Sequence, residues 1–142
     1  MSRSGYVDDV DDQWALIRWR GAVASSIRGK RGQAFLTEMR IALDAMPDKK
    51  LVAMELEAGG SVCAIGAVGR MRGVDMATID PEDYDRIAST FGIAAPLAQE
   101  IVWLNDEAGY HSETEETRFN RMRRWLDTVI VASAPKAEGG AA

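Results

Sequence analysis

Apolar residues recur at spacings of three and four along most of this chain, the period of a helix with one buried face. Leu16, Trp19, Val23 and Ile27 form the first such stripe, widened by Trp14 and Ile17 and preceded by Asp9, Asp11 and Asp12. Carboxylates at that end suit a helix dipole. Arg28-Gly29-Lys30-Arg31-Gly32 interrupts the pattern with two glycines, and Phe35, Met39, Ala42, Leu43 and Met46 then resume it until Pro47. This predicts two consecutive helices folded back on one another.

Lys50-Leu51-Val52-Ala53-Met54-Glu55-Leu56 alternates partly, and Glu57-Ala58-Gly59-Gly60 reads as a turn. A short strand or small hairpin near residues 50–62 follows. The run Val62-Cys63-Ala64-Ile65-Gly66-Ala67-Val68-Gly69 permits either a strand or a helix. A helix is the better reading, because Gly66, Gly69 and Gly73 then form a bare stripe for close helix packing, with Gly73 as the stop. Each interior glycine costs roughly 0.5 to 1 kcal/mol relative to alanine, so that packing has to offset it.

Asp80-Pro81-Glu82 resembles a helix start, with a capping aspartate and proline at the first helical position. Ile87, Ala88 and Phe91 supply the inner face, Gly92 ends the helix, and Pro96 opens another lined by Leu97, Ile101 and Leu104. Ala88, Gly92 and Ile101 are spaced as in a helix-turn-helix. Thr114 then caps a last helix with Glu115 and Glu116 in its first turn and Phe119, Met122, Leu126 and Val129 along one side, beside Trp125. The expected fold is mainly α: a compact bundle of about five to six helices with one small β-hairpin or short strand. Residues 1–133 form the single globular domain, and 134–142, with nothing to bury, form a flexible tail.

The 142-residue length suits one domain, and no apolar run approaches the roughly 20 residues of a membrane span. The first residues, Met1-Ser2-Arg3-Ser4-Gly5, lead into aspartates rather than a signal-peptide core, so a cytoplasmic protein is expected. A lone cysteine and a lone histidine cannot assemble the usual zinc ligand sets, and no metal or other cofactor is expected.

The net charge of −5 conceals a division along the chain. Between Gly73 and Thr117 lie eleven carboxylates, among them Asp80, Glu82, Asp83, Asp85, Glu107 and Glu113, against the single Arg86. Basic residues gather earlier, at Arg18, Arg20, Arg28, Lys30, Arg31 and Arg40, and later, at Arg118, Arg121, Arg123 and Arg124. Two readings follow. The blocks neutralise one another across solvated helix faces, or the six named carboxylates form an exposed face that steers a basic partner.

Four motifs hold candidate chemistry. Cys63 at a helix N-terminus, with His111 and Asn105, has the residue types of a cysteine hydrolase, although its apolar neighbours suit a small buried residue better. Asn105 and Asp106 suit the end of a helix, bonding the backbone of the loop that follows, or with Glu107 a carboxylate site for a hard cation that lacks enough oxygen donors. Arg28, Lys30 and Arg31 among glycines admit contact with phosphate or nucleic acid, but an interhelical turn paired with the acidic middle segment is the better reading. The would-be recognition helix offers Gln99 and Glu100 but no cation for phosphates, so DNA reading through it is not expected.

Arg28-Gly29-Lys30-Arg31-Gly32-Gln33, Val62-Cys63-Ala64-Ile65-Gly66-Ala67, Asp80-Pro81-Glu82-Asp83, Asn105-Asp106-Glu107 and Glu116-Thr117-Arg118-Phe119 together resemble a family of small uncharacterised proteins of phages and prophages. The likeness runs from about Asp11 to Leu126, with Cys63, Gly66, Asn105 and Asp106 as structural marks. It implies a mobile-element origin and brings no catalytic residues. The expected function is a non-enzymatic accessory protein that binds a basic or nucleic-acid-binding host or phage protein, with inhibition of a nucleic-acid-handling defence complex as its extension. A DNA-associated protein using the basic loop is the alternative, and a small cysteine-dependent enzyme the third reading. Two exposed tryptophans would suit a homodimer.

Overall fold

A computed structural model describes residues 13–110 and 112–131. The expectations at Asp9, Asp11, Asp12, His111 and the 134–142 tail therefore lie outside the described residues. Among the described residues there are six helices and one two-stranded antiparallel sheet: α1 (Gln13–Arg28), α2 (Lys30–Ala45), β1 (Glu57–Ala58), β2 (Ser61–Val62), α3 (Ala64–Arg72), α4 (Tyr84–Phe91), α5 (Ala95–Asp106) and α6 (Glu115–Val129). The fold is mainly α with one small hairpin, as the periodicity predicts.

The core is continuous from Phe35 to Leu126 and has α3 at its centre. Ala64, Ile65, Gly66, Ala67, Val68 and Gly69 are all buried, so two turns of this helix present no residue to solvent. α2 packs on α3 and α6, α5 packs on α3, α4 and α6, and α1 divides its contacts between α2 and α5. α1 is the least buried helix, because only Ala15 and Val23 are fully covered. Its expected wide face is narrower than the sequence suggests. Trp14 is 72% exposed and Ile17 points outward, while Trp19, Trp103 and Trp125 are half-buried. One tryptophan, not two, stands open to solvent.

The small-residue stripe works differently from the expected helix-on-helix contact. A Cβ on Gly66 would lie 1.9 Å from the Leu56 carbonyl oxygen, so α3 packs against the irregular segment before the hairpin rather than another helix. On Gly69 a Cβ would meet the Met76 sulfur at 2.3 Å, the end of a flexible side chain. Gly73 is the left-handed stop that the pattern predicts. No strand forms over 50–56. Its backbone instead bonds outward: Val52 N–H to Val62 O at 2.9 Å and Leu51 N–H to Glu115 O at 3.1 Å. The strands lie just beyond, joined by Gly59 and Gly60 at positive φ, as a two-residue hairpin turn requires.

The helix start expected at Asp80 falls at Asp83 instead. Asp80 accepts from the Glu82 N–H at 2.8 Å and makes a local turn, and Asp83 caps α4 by accepting from the Arg86 N–H at 3.2 Å. Two aspartates three residues apart compete for the same role, and the second wins because Ile87, Ala88 and Phe91 are then placed inward. Thr114 caps α6 as predicted, accepting from the Thr117 N–H at 3.0 Å.

Gly66→Ala should cost about 2 to 3 kcal/mol in chemical denaturation, because rigid backbone must move. Gly69→Ala should cost less than about 1 kcal/mol, since Met76 can shift and alanine favours the helix. Equal losses in the two variants would contradict this packing.

Candidate functional site

The signature residues converge at the N-terminus of α3. Cys63 leaves the hairpin in extended conformation and its Sγ accepts from the Gly66 N–H at 3.3 Å. The next orphan amide, Ala64 N–H, is satisfied from outside the segment by Asn105 Oδ1 at 3.1 Å. Asn105 is only 2% exposed, and its amide nitrogen donates to Val52 O at 2.9 Å and to Asp106 Oδ1 at 2.7 Å. The sequence suggests that Asn105 and Asp106 fix the loop after their helix. The structure turns both across to segments far earlier in the chain, and Asp106 also accepts from the backbone N–H of Met54. Met54 holds φ at 70°, a left-handed conformation costly for a side chain with Cβ.

This arrangement shapes the chemistry of Cys63. Burial pushes its thiol up to about 12, and the nearby Asp106 charge adds to the effect, so it stays protonated at neutral pH. The cavity beside it, bounded by Glu55, Leu56, Pro81, Asn105 and Asp106, holds about 10 Å³, the space of one water. Asn105 is committed to backbone groups. Cys63 acts as a capping and packing residue in this geometry.

A second cluster lies at the start of α4. Asp80, Glu82, Asp83 and Asp85 are exposed, and none forms an ion pair with a described residue. Tyr84 stands half-buried among them, its hydroxyl pushed up to about 12 by burial and then by the charges of Glu82, Glu107, Asp106 and Asp80. Those four carboxylates come from the 80–82 turn and the end of α5, so the fold joins two acidic stretches into one face. Arg86 is the cation nearest in sequence, and it donates to Thr78 O at 2.9 Å and Thr78 Oγ1 at 3.0 Å. Tyr84 carries no motif of its own in the sequence, although its position between Asp83 and Asp85 is a usable signal.

Glu113 is placed elsewhere. Its side chain is 5% exposed and binds Arg121 in a fork, with Nε and Nη2 at 2.7 and 2.9 Å, while Arg118 Nε lies 3.4 Å away. Hydrogen bonding from Arg121 holds its carboxyl below the usual range against the effect of burial. Arg121 also donates to the carbonyls of Leu104 and Asn105, which close α5. Arg123 grips Asp44 at 2.7 and 3.1 Å and reaches Asp127 at 2.7 Å. Arg118, Arg121 and Arg123 thus pair with acids outside the 80–85 face, and Arg124 stands exposed without an ion pair to a described residue. Another basic anchor gave no sequence signal. Arg72 forks onto Glu38 at 2.7 and 2.6 Å and lies over the rings of Phe35 and Phe91 at 5.8 and 5.7 Å.

Arg28, Lys30 and Arg31 stand exposed where α1 meets α2, unpaired with any described acid. The link there is a single non-helical residue, Gly29, because Gly32 lies within α2. α4 and α5 meet at 110° across Gly92, Ile93 and Ala94, the angle and turn of a helix-turn-helix. Every residue of α5 is nevertheless buried or half-buried beneath α1, α3, α4 and α6, so it offers no open face for a DNA groove. No single described helix is long and apolar enough to cross a membrane, and the described residues bring no three His, Cys, Asp or Glu side chains together as metal ligands. In comparisons with known proteins, the chain matches no family model, no curated sequence and no solved structure.

Asn105→Ala should destabilise the protein by about 2 to 3 kcal/mol in denaturant titration, because it strands the Ala64 N–H and the Val52 carbonyl. A loss below about 0.5 kcal/mol would show that these bonds are not needed.

Glu113 gives a pH prediction of definite sign. Its folded pKa is lowered from 4.5, so its contribution is full above that value and is lost as pH falls through the lowered one. Glu38 and Asp44 act in the same direction through Arg72 and Arg123. Asp106 acts oppositely, since burial raises its pKa and its ionisation costs stability as pH rises. Glu113→Gln should lower the melting temperature at pH 7 and flatten the decline below pH 4.5; parallel curves for variant and parent would refute the pairing.

Proposed function

We propose that this chain is a non-enzymatic accessory protein of phage or prophage origin that binds a protein partner through the acidic face around Tyr84. Asp80, Glu82, Asp83 and Asp85 form its exposed centre and Glu107 its edge. The observation that carries this reading is that Asp80, Glu82, Asp83 and Asp85 are exposed with no ion pair to a described cation, while Arg118, Arg121 and Arg123 are spent on other acids. Keeping like charges together opposes folding through self-repulsion. A face of this kind is suited to a partner that supplies the missing cations.

A partner that handles nucleic acid presents such cations, arranged to meet phosphates. Carboxylates on a turn and the first turn of a helix can occupy the same positions, which extends the reading to inhibition of a host nucleic-acid-handling defence complex. The resemblance to phage and prophage proteins supports that origin, and with it a place in the cytoplasm of a bacterial host. Glu113 contributes to this activity only by holding Arg121.

Affinity capture from host cells tests the proposal. The parent chain should retain a stoichiometric partner of basic surface, released as salt rises from roughly 50 to 300 mM. The double variant Glu82→Lys/Asp85→Lys should lose it while costing no more than about 1 kcal/mol of stability, the scale of a reversed charge at a helix end. Equal recovery by the variant, or no stoichiometric partner at all, would overturn the proposal.

A further inference from the structure

The junction of α1 and α2 is a second charged surface, of opposite sign. A Cβ on Gly32 would fall 1.8 Å from the Ser26 carbonyl oxygen, so only glycine lets the first turn of α2 lie against the last turn of α1. The start of α5 arrives at the same place. Between them opens a groove of about 480 Å³, lined by Ser25, Lys30 and Arg31 on one side and by Ala94 and Pro96 on the other. That volume is typical of sites for small molecules.

Three independent features make the groove attractive to an anion. No carboxylate lines it among the described residues. Lys30 and Arg31 are exposed, and no described acid pairs with them. Its walls include the positive ends of two helices, of 16 and 12 residues, whose N-cap residues Gly29 and Ala94 supply no capping side chain. The amide of Gln33 bonds Gly29 O, which leaves the amides of Lys30, Arg31 and Gly32 without an intrahelical acceptor. In α5 the proline at the second helical position has no N–H, so that helix contributes chiefly its dipole.

We propose that this groove binds the phosphate group of a small phosphorylated ligand. Lys30 supplies a point charge and Arg31 a forked donor, while the first-turn amides of α2 and the Ser25 hydroxyl complete the hydrogen bonding. Ser26 is less available, since its hydroxyl donates to Ala22 O at 2.7 Å. A small ligand fits better than a duplex, because a duplex footprint needs about six to ten phosphate contacts and the loop offers three cations. The site is separate from the acidic face and does not rest on it.

Inorganic pyrophosphate is the probe, titrated into the full chain at constant ionic strength and followed by amide resonances. The amides of Lys30, Arg31 and Gly32 should shift saturably with one-to-one stoichiometry. Lys30→Gln/Arg31→Gln should weaken binding by at least about tenfold without changing the melting temperature of the free protein. Glu82→Lys/Asp85→Lys should bind as the parent does, which separates this outcome from that of the partner capture. No saturable shift up to roughly 10 mM would overturn the proposal. So would unchanged affinity in the Lys30/Arg31 variant. A single-stranded oligonucleotide that binds with steep salt dependence while pyrophosphate does not saturate would likewise overturn it, in favour of a polynucleotide.

Discussion

The buried amide of Asn105 is the contact on which the arrangement of this fold depends. It accepts from the first amide of α3 and donates to the carbonyl of Val52, so one side chain at the end of α5 holds a helix start and an irregular segment together. The bond to Ala64 is buried, and stranding a buried donor costs about 1 to 3 kcal/mol. The irregular segment in turn lays the Leu56 carbonyl against Gly66, where any side chain would collide. Cys63 belongs to the same device, since it caps the amide at the position of that glycine. The marks that look most like a reactive site are therefore the parts that set the position of α3.

Away from that device, the fold sorts the charges unevenly between its surfaces. Arg72, Arg121 and Arg123 are drawn into forked pairs with Glu38, Glu113 and Asp44, the first and last joining elements distant in sequence. These pairs tie α3 to α2, α6 to the loop before it, and α6 to α2. What remains outside is an acidic face at the start of α4 and a basic groove at the start of α2. The proposed partner and the proposed phosphate ligand each meet the charge that folding left unpaired.

The helix-turn-helix shows how a local pattern can be right while the face its usual role requires is covered. Ala88, Gly92 and Ile101 produce the expected turn and angle, because glycine at φ 73° admits the reversal and the small residue admits close approach. Whether the second helix can enter a groove depends on what covers it. Here α1 and α6 lie over α5, and the element becomes a piece of core. The expected stripe of small residues on α3 is a similar case: the close approach is real, yet its partner is the backbone at Leu56 rather than a helix.

The sequence by itself determined the helices, their stops at Gly73 and Gly92 and the Thr114 cap. These features follow from periodicity and capping, which act over about four residues. Even locally, the contest between Asp80 and Asp83 for one cap was settled by which choice buries Ile87 and Phe91. Only the tertiary structure decided that Asn105 bonds residues 41 and 53 positions away, that Glu113 turns inward, and that Asp106 and Glu107 join the face at Asp80 and Glu82. Burial and ion pairing depend on distances across the fold, and spacing along the chain does not contain them.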